Sequence, residues 1–292
     1  MEQKKKILFI INPISGGKKK SGFYKTVLEA LDMERFDPTF KLTAKAQDAY
    51  NMAKDAVDAN FDAVIAVGGD GTINEIGTAL INTGVPLGII PEGSGNGLAL
   101  YLGIPMNEAA AVRRINKFDT VTVDSGLINN HAFFNMAGLG FDASVSFNFA
   151  EENIRGPIGY LRSVINVLSK YESSLYKITI DGQLYEREAF MINVANSPQF
   201  GNNAYIAPNA SVNDGQLDIC IVRKFPIYLF PRLIFHLFTR TADQSEYVEI
   251  IPGKEITIER DTPGPVHVDG EPIELEPTLN VKIVPQSLRI IC

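Results

Sequence analysis

At 292 residues, with 45% hydrophobic and 21% charged residues, the chain is long enough for one large domain or two modest ones with substantial cores. A formal net charge of −7 argues against a dedicated nucleic-acid binder, whose affinity rests on clustered Lys and Arg, and against electrostatic docking as the main route to an anionic membrane. Cys220 and Cys292 have no ligand or redox spacing and read as a core residue and a chain end in a reducing compartment. Lys4-Lys5-Lys6 ahead of Ile7–Ile11 imitates a signal peptide, but the apolar stretch is short and meets Asn12-Pro13. A first β-strand fits better. No apolar run approaches the ~20 residues of a membrane-spanning helix, so a cytoplasmic protein is expected.

Up to about residue 120, strand and helix patterns alternate. Lys6–Ile11 reads as a strand, Phe23–Leu31 as a helix, Thr39–Leu42 as a strand and Ala46–Val57 as a helix. Ala63–Val67, Thr72–Ile81, Val85–Ile90 and Leu98–Tyr101 continue as strand, helix, strand, helix. Near-continuous apolar strands alternating with helices imply a parallel sheet covered on both faces, with ligands at the carboxyl ends of the strands. From about Asp119 the texture changes. Val121–Val123, Ala132–Asn135, Tyr176–Ile180, Ala189–Val194, Leu217–Val222, Glu255–Ile258 and Val266–Asp269 look like strands, with turn signals at Asp181-Gly182 and Asn213-Asp214-Gly215. One helical stretch, about 158–170, interrupts them. The expected organisation is an α/β domain of residues 1–122, joined by 285–292, and a mostly antiparallel β-sandwich domain of 123–284.

Three of the early strands end in polar glycine turns. The first runs into Asn12-Pro13-Ile14-Ser15-Gly16-Gly17-Lys18, the third into Gly68-Gly69-Asp70-Gly71-Thr72, and the fourth into Gly93-Ser94-Gly95-Asn96-Gly97. A strand, a glycine turn and a helix start together present backbone N–H groups to a phosphate. None fits the P-loop or the dinucleotide fingerprint. Asp70 would repel a bare phosphate, which argues for an intervening cation, most simply Mg²⁺ on a nucleotide. Thr72 is placed to cap the following helix or to bind a phosphate oxygen.

Together with Asn74-Glu75, these residues resemble the diacylglycerol kinase catalytic-domain superfamily and, within it, the soluble bacterial lipid kinases related to sphingosine kinases. The resemblance covers nearly the whole chain. It implies an N-terminal α/β domain similar to those of phosphofructokinase and NAD kinase, a C-terminal β-sandwich, and ATP in the cleft between them. Carried over by position, ATP contacts come from Asn12, Pro13, Ser15, Gly16, Gly17 and Lys18, from Thr43, from Gly68, Gly69, Asp70, Gly71, Thr72 and Asn74, and from Gly93, Ser94, Gly95 and Asn96. Glu75 braces the loop or caps its own helix. Many relatives carry Asp where this chain has Gly97, a departure shared with the sphingosine kinases that bears on substrate class.

Phosphoryl transfer to an alcohol needs a group to take the hydroxyl proton. The best candidates are Asp269 and Glu271 in Val268-Asp269-Gly270-Glu271-Pro272, matching the Asp-Gly-Glu in which the family places its catalytic carboxylate. Strand alternation would put both on one side, and the role is assigned to the pair. The resemblance also implies a structural Mg²⁺ held by Asp214 and the backbone carbonyls of Ser211 and Gln216. Gly140-Phe141-Asp142 is family-like as well, as a cleft-lining element or a strand-end turn, while His131, His236 and His267 share no metal spacing and read as structural. Residues 225–238, nearly apolar all round, favour a membrane-contacting segment over a core helix. The resulting expectation is an ATP-dependent lipid kinase acting on a hydroxyl of a diacylglycerol-like lipid at the membrane surface. Its alternatives are an NAD-kinase-like enzyme on a soluble nucleotide and a non-catalytic nucleotide-binding module. The oligomeric state is left open, a homodimer among the options.

Overall fold

The computed structural model describes residues 3–17, 22–151, 164–168 and 170–292. Two compact units divide the chain: Met1–Val123 with Gln286–Cys292, and Asp124–Pro285.

In the first unit, β1 (Lys5–Ile11), β2 (Phe36–Leu42), β3 (Ala63–Gly68) and β4 (Leu87–Pro91) form a parallel sheet in the order β2-β1-β3-β4. Ile7–Ile11 and all of β3 and β4 are buried, the pattern of parallel strands covered on both faces. Between and after the strands lie α1 (Phe23–Ala30), α2 (Asp48–Asp58), α3 (Asp70–Leu80), α4 (Gly97–Tyr101) and α5 (Glu108–Ile115). Helix α2 packs on α3, and α1 on α5. β2 begins three residues before the expected Thr39, with Pro38 inside it; as an edge strand it tolerates a residue without an N–H. Helix α5, absent from the expected elements, obeys ordinary capping rules: the Asn107 side chain accepts the Ala110 N–H at 3.0 Å, Glu108 opens the first turn, and Arg113 and Arg114 close the last.

A long strand, β5 (Thr120–Ile128), leaves the first unit for the second. There follow β6 (His131–Phe133), β7 (Met136–Gly140), α6 (Phe141–Glu151), β8 (Ser174–Ile180), β9 (Gln183–Ala195), β10 (Gln199–Gly201), β11 (Ala204–Tyr205) and β12 (Leu217–Arg223). Helix α7 (Phe230–Phe238) precedes β13 (Val248–Gly253), β14 (Glu255–Glu259), β15 (Gly264–Val268), β16 (Glu271–Leu275) and β17 (Thr278–Ile291). The last residues of β17 return to the first unit, where Ile290 pairs in parallel with Leu87 of β4. The helix expected over 158–170 lies mostly outside the described residues, of which 164–168 are helical.

Pairing in the second unit is antiparallel, in the order β16-β15-β7-β9-β8-β14-β17, with β12 between β9 and β13. Side-chain alternation feeds two cores from the same strands. Ile192 and Val194 of β9 and Leu217, Ile219 and Ile221 of β12 enter one core with Ile178, Ile258, Val266 and Leu279. Met191, Cys220 and Val222, on the opposite face, enter another with Phe141, Phe190 and the Leu233 and Leu237 side chains of α7. Both faces of this sheet are therefore covered. Helix α7, apolar but for Arg232 and His236, divides its apolar residues: Leu233 and Leu237 fill a core, while Phe235 (64% exposed) and Phe238 (57% exposed) face outward. Among the described residues no helix is long and apolar enough to cross a membrane.

Across the β12 strand, Arg187 of β9 grips Glu249 of β13 with two parallel bonds, Nε to Oε2 at 2.8 Å and Nη2 to Oε1 at 2.9 Å. The Arg187 hydrogen bonds hold the Glu249 carboxyl below the usual glutamate range, against the opposing effect of burial. A depressed carboxyl contributes stability above its unfolded pKa and loses it as pH falls through its folded value. Glu249→Gln is thus expected to cost about 1 kcal/mol at pH 7. Urea midpoints for the two proteins should differ at pH 7 and converge at pH 3.

Candidate active site

The three glycine turns stand at the carboxyl ends of β1, β3 and β4, and hydrogen bonds lock them into one body. The Asn12 N–H donates to the Val67 carbonyl at 3.0 Å, and the Glu92 N–H to the Gly68 carbonyl at 2.8 Å. The Asn12 amide donates to the buried Thr72 hydroxyl at 3.2 Å. Ser15 Oγ donates to the Asn12 carbonyl at 2.9 Å and lies 3.3 Å from Glu92 Oε2. Asn96 folds its own loop, its Oδ1 accepting from the Gly93 N–H and its amide donating to the Gly93 carbonyl. Thr43 follows β2 and joins β1, its N–H donating to the Ile11 carbonyl at 3.0 Å.

Asp70 is the tie between the second and third turns. Its Oδ2 accepts the Asn96 N–H at 2.9 Å and its Oδ1 the Gly97 N–H at 3.2 Å, so this carboxylate caps the N-terminus of α4. Helix α3 itself starts at Asp70, earlier than expected, and its N-cap, Gly69, has no side chain to donate. Thr72 is therefore not a cap; it lies inside the first turn, packed under Gly68. The engagement of Asp70 with backbone N–H groups corrects the premise that its charge requires a cation.

Glu75, one turn further along α3, acts likewise on the other side. Its Oε2 accepts from the Ala49 and Tyr50 N–H groups at 3.1 and 3.4 Å, and its Oε1 from Gln47 at 3.0 Å, so it caps α2 and not its own helix. Asn74 Oδ1 receives the Thr78 hydroxyl at 3.5 Å. The glycines are dictated by proximity: a β-carbon on Gly93 would lie 2.7 Å from the Gly69 Cα, and one on Gly95 3.0 Å from Asp70 Oδ2. Gly16 has φ +66° and a β-carbon there would meet the Glu92 carbonyl at 2.9 Å. Pro13, Gly17 and Ser94 sit at the exposed rim, Gly71 is half-buried in the first turn of α3, and Lys18 falls outside the described residues. Glycine backbone, the Ser15, Thr43 and Ser94 hydroxyls, and an α3 N-terminus that Gly69 leaves uncapped together suit a polyphosphate.

In the second unit Asp269 and Gly270 form the two-residue turn between β15 and β16, with φ +48° and +89°. Asp269 is thus not a strand residue, and alternation does not place it beside Glu271. Its carboxylate accepts three backbone N–H groups, from Phe134 (3.0 Å), Asn135 (2.8 Å) and Met136 (3.0 Å), while its own N–H donates to the Met136 carbonyl. Donors that stabilise the anion make it a weak proton acceptor. Glu271 is exposed at the head of β16, opposite Val268.

Asp142, in the first turn of α6, bonds the buried His267 ring, Oδ2 to Nε2 at 2.9 Å. Sequence reasoning read His267 only as structural and passed over Asn135, Asn193 and Asn196 as site residues; their signal was amides set within otherwise apolar strand runs. Asn196 donates to the Asp124 and Phe134 carbonyls at 3.0 and 2.8 Å, and Ser197 bonds Asn135.

Around 211–216, Ser211 Oγ donates to Asn213 Oδ1, Asp214 Oδ1 accepts the Gln216 N–H at 3.0 Å, and the buried Asp124 accepts the Gly215 N–H at 2.7 Å. Among the described residues no group of three or more His, Cys, Asp or Glu is set to hold a metal ion. The expected ligands, Asp214 with the Ser211 and Gln216 carbonyls, are instead all oxygens, the donor chemistry of a hard cation. Asp218 nearby is pushed above the usual aspartate range by burial first and by the Asp214 charge second, a repulsion that a bound cation would relieve.

Residues 6–128 match the model of the diacylglycerol kinase catalytic domain, and 135–292 that of the YegS C-terminal NAD kinase beta sandwich-like domain. An uncharacterized Synechocystis protein is 34% identical over 78% of this chain, which spans about half of that relative (54%). A diacylglycerol kinase of Bacillus subtilis is 30% identical over 78% of this chain and 77% of its own length. A crystal structure of a diacylglycerol kinase from Bacillus anthracis superposes with TM-score 0.75 at 24% identity, covering 100% of this chain and 98% of that one. The fold extends to an NAD kinase from Archaeoglobus fulgidus, solved with ATP: TM-score 0.53, 15% identity, 98% and 93% coverage.

Gly93→Ala should force the second and third turns apart and weaken nucleotide binding at least about tenfold, because backbone atoms cannot yield as side chains do. Gly22→Ala, which meets nothing within 4 Å, is the control expected to bind normally. Isothermal titration with ATP would check both.

Proposed function

The chain belongs to the diacylglycerol kinase catalytic-domain family and is by that membership a lipid kinase; we propose that it transfers the γ-phosphate of Mg-ATP to a hydroxyl of a diacylglycerol-like lipid. The observation that carries this reading is the body formed by the three glycine turns, tied by Asp70 and presenting the α3 N-terminus. Backbone N–H groups and hydroxyls of Asn12–Gly17, Gly68–Thr72 and Gly93–Asn96 bind the phosphates, whose negative charge suits the positive end of α3. Mg²⁺, when bound, neutralises charge that builds on the transferred group. At the structural position, Asp214 with the Ser211 and Gln216 carbonyls would hold a second such ion.

The acceptor hydroxyl is too weak an acid to ionise in advance, so its proton passes to a carboxylate as the new P–O bond forms. Glu271 takes that role and Asp269 the role of anchor, because three N–H donors already occupy the Asp269 oxygens. The lipid is met at the membrane surface by the exposed Ile227, Tyr228, Phe235 and Phe238, an apolar set suited to the bilayer interface. An NAD-kinase-like reading has the fold in its favour. These outward aromatics and Glu271 speak for a lipid acceptor instead.

Radiolabelled ATP offered to a panel of lipids in mixed micelles, beside NAD, should label a lipid; label in NAD alone would overturn the assignment. Glu271→Gln is expected to lower kcat by about 10²–10⁴ while ATP binding is kept. Asp70→Asn should instead weaken ATP binding itself, since an amide NH₂ in place of one oxygen repels an N–H of α4.

A further inference from the structure

Asp269 is not the only group that holds the β15–β16 hairpin. Two residues earlier, His267 lies opposite Gly138 of β7 on one side and Pro272 of β16 on the other. Its ring, 3% exposed, is bonded to Asp142 in the first turn of α6, and α6 packs against both β15 and β16. Gly138 makes room for this contact. A β-carbon there would lie 2.4 Å from His267 Nε2, 2.4 Å from Asp142 Oδ2 and 2.3 Å from Asn193 Oδ1, so three polar atoms converge where a side chain would stand. Neither amide atom of the fully buried Asn193, nor His267 Nδ1, finds a hydrogen-bond partner among the described residues. Unsatisfied buried polar groups each cost stability, and an apolar trio of the same size would pack here without that cost.

We propose that His267, held by Asp142, is a positioning residue for phosphoryl transfer, setting the hairpin that presents Glu271. The proposal rests on the reading of Glu271 as the proton acceptor. Residues 134–142 form one continuous stretch through β7 into α6, and the hairpin is fastened to it at both ends. At the near end Asp269 takes the N–H groups of 134–136; at the far end His267 takes the carboxylate of Asp142. The β15–β7 ladder aligns the backbone of the hairpin, and these two side-chain bonds add to it on either side of that pairing, which narrows the directions open to Glu271. Second-layer contacts of this kind orient a reacting group without touching the substrate.

The test uses the full chain with ATP and a lipid acceptor in mixed micelles. His267→Leu removes the bond while keeping apolar bulk, and Asp142→Asn removes the charge. Each is expected to lower kcat about tenfold or more with KM for both substrates within about twofold, as loss of transition-state alignment requires. The double variant should be no worse than either single one, because the two residues act as a unit. His267→Gln, whose amide reaches Asp142 from a similar position, should recover most of the rate. Amide exchange at 268–271 should quicken in His267→Leu and not in His267→Gln. An unchanged kcat in His267→Leu, a change confined to KM, or a rate loss that follows melting temperature across the variants would each overturn the proposal. Glu271→Gln in the same assay separates the two readings. If it keeps full turnover, the proton-acceptor assignment fails; if it loses turnover while His267→Leu does not, only the positioning role fails.

Discussion

The bond from the Asp70 carboxylate to the N–H groups of Asn96 and Gly97 is the constraint around which the glycine turns of the first unit are arranged. Two loops that meet glycine to glycine have no side chains with which to hold each other, so a group from one must reach the backbone of the other. A carboxylate does this best, because it accepts two N–H groups at once and its charge suits the start of α4. Glu75 repeats the device toward α2. Helix α3 thereby braces both neighbours through carboxylates near its own N-terminus, while that N-terminus receives no side-chain cap from Gly69.

The same physics recurs in the second unit with a different outcome for the chemistry. Asp269, in the two-residue turn, spends its carboxylate on three N–H groups of 134–136. Two of the acids that the sequence singles out, Asp70 and Asp269, thus accept backbone N–H groups from distant loops. Glu271 stands instead at the exposed head of an edge strand.

Much of this was legible in the residues and some was not. β1, β3 and β4 are apolar runs ending at polar glycines, and that pattern has few other solutions. β7 escaped notice because Met-Ala-Gly-Leu-Gly has little strand propensity; its glycines serve the convergence of Asp142, Asn193 and His267. Helix α6 alternates aromatic, Ser and Val residues and shows no helical face in sequence. The acids of the candidate site were identifiable from glycine context. Their roles were not, since Asp70 finds its partners 26 and 27 residues away and Asp269 finds Phe134 at a separation of 135. Carboxylate function is set by which N–H groups the fold brings to it, and spacing does not report that.

The return of β17 to the first unit has a consequence for how the molecule is made. The parallel sheet that carries the glycine turns takes its last neighbour from residues 286–292, where Ile290 joins β4 and the Cys292 N–H reaches the Asp119 carbonyl. A ribosome releases those residues only after the whole intervening unit has been synthesised. Until then the edge of β4 stands unpaired, with Leu87 and its apolar neighbours beside an open row of peptide groups. The first unit is therefore begun before the second and closed after it. Its completion waits on contacts of very long sequence separation, the kind that form slowly, and the nascent chain is most vulnerable to wrong strand pairing during that interval.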